Sequence, residues 1–215
     1  MKTALRSVAT AIAGFAVSST SVLAAPLPIR LNVIVHNDVP ATLRPRLEAD
    51  YLQPWIKEME TQFARRVEVT LRENVAGVSD LDYRALTGDE TIRTVRKHNQ
   101  AYWQSLNYTH WNYRLNKSLL LVNGTRKSYE DDGSEQLGLA QIKGTAGWAS
   151  LTSFNAVGHE LGHMFGASHE DAAILFNGWF CQTFTYPYRS VARSNCYRYS
   201  DTNRQAIQAY LSEVP

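Results

Sequence analysis

HELGHMFGASHE, residues His159–Glu170, decides how the rest of the chain is read. His159 and His163 are four residues apart, so on a helix both imidazoles leave one face, with Cβ atoms about 5–6 Å apart. Two imidazoles so placed converge on one zinc ion at about 2.0–2.1 Å. Glu160 stands beside the first of them, near enough to touch a water on the metal without being a ligand. Gly166 follows three residues after His163; glycine accepts positive φ, so it ends the helix and swings the chain back. His169 then returns from outside the helix as the third ligand. Three protein ligands leave a fourth position open, which marks a catalytic zinc rather than a closed structural one. A bare H-E-x-x-H can be ordinary polar helix surface. The full H-E-x-x-H-x-x-G-x-x-H pattern is far more demanding.

Upstream, Ile29, Leu31, Val33 and Val35 alternate with other residues and predict a strand. Leu43, Leu47, Tyr51, Trp55, Met59 and Phe63 recur every fourth residue, a helical stripe over residues 42–64 that Pro54 kinks or divides. Val67, Val69 and Leu71 predict a second strand, and Ile92, Val95, Tyr102, Trp103 and Leu106 a second helix over 89–106. Leu119–Val122 reads as a short buried strand. Leu137–Leu151 reads as an edge strand leading into a helix over about 154–165, with Ser153 as its N-cap. Residues 167–202 read as irregular, followed by a short helix near 202–212. This order predicts an α/β fold with helices on a mixed, mostly parallel sheet. The acidic run Glu130-Asp131-Asp132 offers carboxylates to a structural calcium ion, although its spacing fits no calcium-loop motif and a solvated loop is the plainer reading.

The first 24 residues read as a secretory signal: Lys2 and Arg6 precede the apolar run Ala9–Val17, and Val22-Leu23-Ala24 suits cleavage after Ala24. The run is too short and too soon broken by Ser18, Ser19 and Thr20 to suit a membrane anchor. Its removal takes away two basic residues and no acid, so 22 basic and 20 acidic side chains become 20 and 20. A neutral mature chain argues against nucleic acid or an anionic membrane as the main partner. The chain is expected to be exported, extracellular or periplasmic, from a bacterium, and monomeric. Export makes a bridge between the two cysteines, Cys181 and Cys196, plausible; two buried thiols are the alternative.

The long histidine pattern resembles the metzincin zinc peptidases, and the chain looks most like the small secreted reprolysin-like and peptidyl-Asp-type members. The motif carries the specific match, and the order of strands and helices extends a looser one over about residues 28–212. The resemblance implies an N-terminal lobe, here about 25–166, an active-site helix, and a small irregular C-terminal lobe, about 167–215. It implies one catalytic zinc, a protein or peptide substrate, and Glu160 as general base. Metzincins carry a methionine turn beyond the third histidine. Here the only methionines are Met1, Met59 and Met164. Gln182-Thr183-Phe184-Thr185-Tyr186 aligns on that turn, with Phe184 in the methionine position. Tyr186 then matches the tyrosine that some metzincins hold near the metal as a switchable ligand or oxyanion stabiliser; aromatic packing with Tyr188 is the alternative. Glu170 resembles the acidic residue that marks astacins, but Ala167 stands where astacins continue differently, so a solvated or paired carboxylate is expected. His36, His98 and His110 are expected to be surface or core histidines. The activity implied is peptide-bond hydrolysis; the competing reading is a secreted zinc-binding module that recognises a protein and cuts nothing.

Overall fold

Strand β1 (Ile29–Val35) is buried on both faces and lies between two parallel neighbours, β2 (Val67–Arg72) and β3 (Asn116–Val122). The fold is described by a computed structural model over residues 25–106, 112–127, 134–188 and 190–214. The signal-like residues 1–24, the acidic run at 130–132 and His110 lie outside the described residues, so nothing here bears on the calcium reading.

Between β1 and β2 the expected single helix is three pieces: a 3-10 turn at Arg44–Arg46, a π-helical stretch at Glu48–Leu52, and α1 (Gln53–Phe63). Pro54 is the second residue of α1, where its missing N–H goes unnoticed, so it starts a helix rather than kinking one. Helix α2 (Gly88–Ser105) is fixed by a capping box in which Thr87 Oγ1 accepts from Glu90 N at 3.1 Å and Glu90 Oε2 accepts from Thr87 N at 2.7 Å. A two-stranded pair, β4 (Arg126–Lys127) and β5 (Glu135–Gln136), precedes the expected edge strand. That edge is a hairpin: β6 (Gly138–Ala140) runs antiparallel to β7 (Ala146–Ser150), which itself pairs parallel with β3. The sheet order is β2-β1-β3-β7-β6, which leaves β6 at the rim.

Alternating side chains build two cores. Leu31, Val33, Leu119 and Leu121 pack with Trp55 and Met59 of α1 and with Leu161 of α3 (Ala156–Met164). On the other face Ile34, Leu120, Val122 and Trp148 pack with Ile92 and Val95 of α2. Helices therefore cover both faces, as a parallel sheet requires. The expected cap is displaced: α3 begins at Ala156 and its N-cap residue, Asn155, offers no side-chain cap, while Ser153 Oγ accepts from Asn155 N at 3.4 Å just ahead of the helix. Asn155 spends its amide elsewhere, donating Nδ2 to the carbonyl of Phe184 at 2.9 Å.

Beyond α3 the segment expected to be irregular holds a small sheet, β8 (Ile174–Phe176), β9 (Phe180–Gln182) and β10 (Ser194–Asn195), in the order β10-β9-β8. Cys181 and Cys196 are joined in a disulfide. Helix α4 (Asp201–Ser212), capped by Ser200, returns against the first core through Ile207 and Leu211. Among the described residues no helix is long and apolar enough to cross a membrane.

Candidate active site

Helix α3 has two working faces. On one, Gly158 and Gly162 lie a turn apart. A Cβ at Gly158 would stand 2.3 Å from the Phe184 ring, and one at Gly162 would stand 2.5 Å from the Tyr199 ring. The glycines let two aromatic rings press against the helix backbone, and the Tyr199 hydroxyl donates to Gly158 O at 2.7 Å. The other face carries His159 and His163. The helix stops in a Schellman turn: Gly166, at φ +99°, donates to His163 O at 2.9 Å, and Ala167 donates to Gly162 O at 3.0 Å. That reversal delivers His169.

The three imidazoles converge. His169 Nε2 lies 2.8 Å from His159 Nε2 and 3.0 Å from His163 Nε2. The tautomers of the two helical rings follow from their far sides, where His159 Nδ1 donates to Phe184 O at 2.9 Å and His163 Nδ1 donates to Ala167 O at 2.8 Å. Both Nε2 lone pairs therefore point into the cluster. Burial, with the neighbouring His163 and His169 adding to it, brings His159 down to about 3; burial also lowers His163 and His169. Neutral imidazoles whose lone pairs face one another are a donor set in want of a cation, and carbonyl-braced rings are the usual support of histidine ligands. The residues present fit a zinc ion.

Glu160 is 5% exposed and lies against β6: a Cβ at Gly138 would come within 2.5 Å of its Oε1. Burial pushes this carboxyl well above the usual range, opposed in part by a hydrogen bond to the Ala140 backbone. A cation on the neighbouring imidazoles would favour its ionised form. His159, Glu160, His169 and Tyr186 line one cavity of about 160 Å³ with Gly138 and Pro187. Tyr186 thus shares the cleft, with the Arg193 guanidinium 5.0 Å from its ring centre and Tyr188 edge-on at 6.4 Å. Phe184 is buried beneath α3 and reaches His159 by its carbonyl, not its ring. Glu170 is exposed at the outer cleft, its carboxyl lowered by hydrogen bonds to its own backbone and to Ser168. His36 and His98 are engaged elsewhere, with Asp38 and Leu81 O and with Arg72.

Sequence reading missed Tyr199, Asn155 and Gly138. A signal existed for Tyr199: two glycines four apart inside a helix weaken it, and close approach by another group is the common reason.

No family model matches the chain, and no curated protein sequence matches it. Solved structures do resemble it. Metalloproteinase II from Bacteroides fragilis superposes with a TM-score of 0.59 at 16% identity, covering 86% of this chain and 53% of that one. A zinc-dependent peptidase from Methanocorpusculum labreanum gives 0.51 at 15% identity, over 82% of this chain and 99% of that one. Archaemetzincin from Methanopyrus kandleri gives 0.50 at 13% identity, over 86% and 96%. The fold is that of zinc-dependent peptidases. The chain spans about half the length of the Bacteroides protein, 53% of it. The neighbours are metalloproteinase II and archaemetzincin-like structures, so the likeness is to metallopeptidase folds broadly and not to the reprolysin kind in particular.

Proposed function

We propose that this chain is a secreted zinc-dependent metalloendopeptidase of the metzincin kind. The mature chain would begin at Ala25, with a cleft between lobes spanning about 25–166 and 167–215. The observation that carries the reading is the meeting of three histidine Nε2 atoms, at 2.8 and 3.0 Å, beside the buried carboxyl of Glu160. His159, His163 and His169 hold the metal. A zinc ion held by these three imidazoles would supply Lewis acidity, of the kind that lowers the pKa of a bound water to about 7 and polarises a carbonyl. Glu160 takes the water proton and hands it to the leaving amine. Gly138 keeps β6 close enough for the Glu160 carboxylate to lie on it. The rim strand β6 aligns an extended substrate by main-chain hydrogen bonds. Tyr186, which lines the same cavity, would donate to an oxyanion.

Two variants test this. Glu160→Gln keeps the shape and removes the proton acceptor, so zinc content should hold while hydrolysis of a peptide library falls by about 10²–10⁴-fold. His163→Ala should lose stoichiometric zinc. Unchanged cleavage by Glu160→Gln would overturn the mechanism. A wild type that holds zinc and cuts no peptide would instead be a secreted zinc-binding recognition module.

A further inference from the structure

The small sheet after the histidine cluster carries aromatic side chains outward. β8 and β9 form a hairpin in which Phe176 pairs with Phe180, their ring centres 5.3 Å apart, around the turn Asn177-Gly178-Trp179. A Cβ at Gly178 would meet nothing within 4 Å, so the turn projects into open space. Phe176, Trp179 and Phe180 are 69%, 63% and 57% exposed. Trp179 Nε1 donates to Ala192 O at 3.1 Å, which joins the hairpin to a turn holding the fully exposed Val191. Rings that face water cannot hold a segment by burial. Here the Cys181–Cys196 bridge, next to Phe180, holds it instead.

Charge is as unevenly spread as apolar surface. Between Asp171 and Asp201 the sequence holds Arg189, Arg193 and Arg198 and no acid, although the mature chain is expected to be neutral as a whole. Arg198 is paired with Asp201 at 2.5 Å, and Arg189 lies outside the described residues. Arg193 donates Nη2 to Tyr188 O at 3.3 Å and stands 5.0 Å from the Tyr186 ring centre; neither contact neutralises its charge. On the cleft side Tyr186 and Pro187 line the metal cavity, where the carboxylates of Glu135 and Glu160 face the two charges of the proposed zinc.

We propose that this aromatic edge docks on a lipid bilayer that presents anionic headgroups. Tryptophan and tyrosine rings with a polar tip, phenylalanine and valine without one, and an arginine at the margin are side chains that a bilayer interface takes. A projecting hairpin tip needs no matching concavity in a bilayer, whereas a protein partner would have to supply one. A second copy of this chain would bring the same uncompensated arginines to the contact. Headgroup phosphates supply the missing negative charge. Docking does not depend on the peptidase reading. Its consequence does: Tyr186 and Pro187 belong to the metal cavity, so the cleft would open beside the lipid surface, towards polypeptides held at a membrane.

The test floats the disulfide-bonded protein with phosphatidylcholine vesicles made with and without phosphatidylglycerol. The wild type should bind the anionic vesicles, and added salt should weaken that binding. Arg193→Gln should weaken it about fivefold. The double variant Phe176→Ser, Trp179→Ser should weaken it at least about tenfold with thermal unfolding unmoved, because both side chains are exposed. A second measurement does not rely on that variant. Brominated lipid should quench the wild-type tryptophan fluorescence, and Trp179→Phe, which keeps a ring, should stay bound and lose most of the quenching. No binding of the wild type to anionic vesicles overturns the proposal, as does equal binding by the double variant or unchanged quenching in Trp179→Phe. Binding of a single-stranded oligonucleotide without binding of vesicles overturns it in favour of nucleic acid. Self-association that the double variant abolishes, without vesicle binding, overturns it in favour of a contact between copies. Peptide cleavage in solution is measured apart from flotation, so either reading can fail while the other stands.

Discussion

The sheet region, residues 25–166, and the segment after it, 167–214, are held together by different forces. The first has two apolar cores on a five-stranded sheet, with β3 buried along its whole length. The second has short strands, a disulfide and polar pins, and it leaves Phe176, Trp179, Phe180 and Tyr188 more than half exposed. Its pins reach back into the first region. Glu58 of α1, itself buried, accepts from Arg204 of α4 through both carboxylate oxygens at 2.8 Å and from Tyr199 N at 3.0 Å. Asn203 ties Ser168 N and O to Thr185. The histidine cluster straddles the divide: His159 and His163 belong to the first region, while His169, the Phe184 carbonyl and the Tyr199 ring come from the second. Hydrophobic burial builds the scaffold, and directional contacts aim His169, because only directional contacts fix a position to a few tenths of an ångström.

The sharpest way to break this contrast is at Glu58. Glu58→Ala leaves the Arg204 guanidinium and the Tyr199 amide without their acceptor in a mostly buried place. Removing one partner of such a pair costs about 3–5 kcal/mol. Urea unfolding should show that loss, together with weaker zinc retention, since Tyr199 lies under α3. A loss below about 1 kcal/mol, the value of a surface pair, would mean that α4 is docked by its apolar face alone.

Reducing the Cys181–Cys196 bridge probes the second region by itself. The cysteines are 15 residues apart, and the chain-entropy argument gives about 3 kcal/mol for such a loop. Hydrogen exchange should then quicken through β8, β9 and β10 while β1 and β3 stay protected. Equal loss of protection in β1 and β3 would show that the two regions unfold as one unit and that the division drawn here is false.

The same contrast explains what the sequence could reveal. Apolar alternation in β1 and β2, the stripe in α1 and the histidine spacing are local patterns: both strands lie where that reading places them, the later half of the stripe is α1 while its start winds as a 3-10 turn and a π stretch, and the three imidazoles meet. What local patterns could not carry is contact across long separations. The apolar run places the start of β3 at Leu119, whereas the strand starts at Asn116 and buries Lys117 fully. Its ammonium donates to Tyr113 O, Gly144 O and the Tyr210 hydroxyl, and it lies 4.9 Å from the Phe165 ring centre. Burial brings this lysine down to about 7. No periodicity announces a core lysine whose partners come from a hairpin and the last helix. Likewise β8 and β9 have three residues each and β10 two, too short for alternation to register. The hairpin of β6 and β7 reads from sequence as one strand because Lys143, at φ +60°, supplies a turn conformation usually left to glycine or asparagine. The Glu58–Arg204 pin joins residues 146 apart.

The smallest expected effect is that of Phe184→Met, at the place where the two regions touch beneath the site. Its ring fills the groove that Gly158 leaves in α3 and meets the Tyr199 ring at 5.1 Å. Its contact with a candidate metal ligand is made by the main chain: Phe184 O accepts from both His159 Nδ1 and Asn155 Nδ2 at 2.9 Å. The ring is therefore a floor, and the carbonyl is the brace. A methionine side chain is flexible enough to fill the same groove without moving that carbonyl. Phe184→Met should cost under about 1.5 kcal/mol and leave zinc content unchanged. Phe184→Ala should cost about 3–5 kcal/mol, because the groove beside Gly158 would stand empty. Thermal unfolding and metal analysis of the two variants separate the roles. If Phe184→Met loses zinc while staying folded, the ring itself positions His159 and the floor reading is wrong.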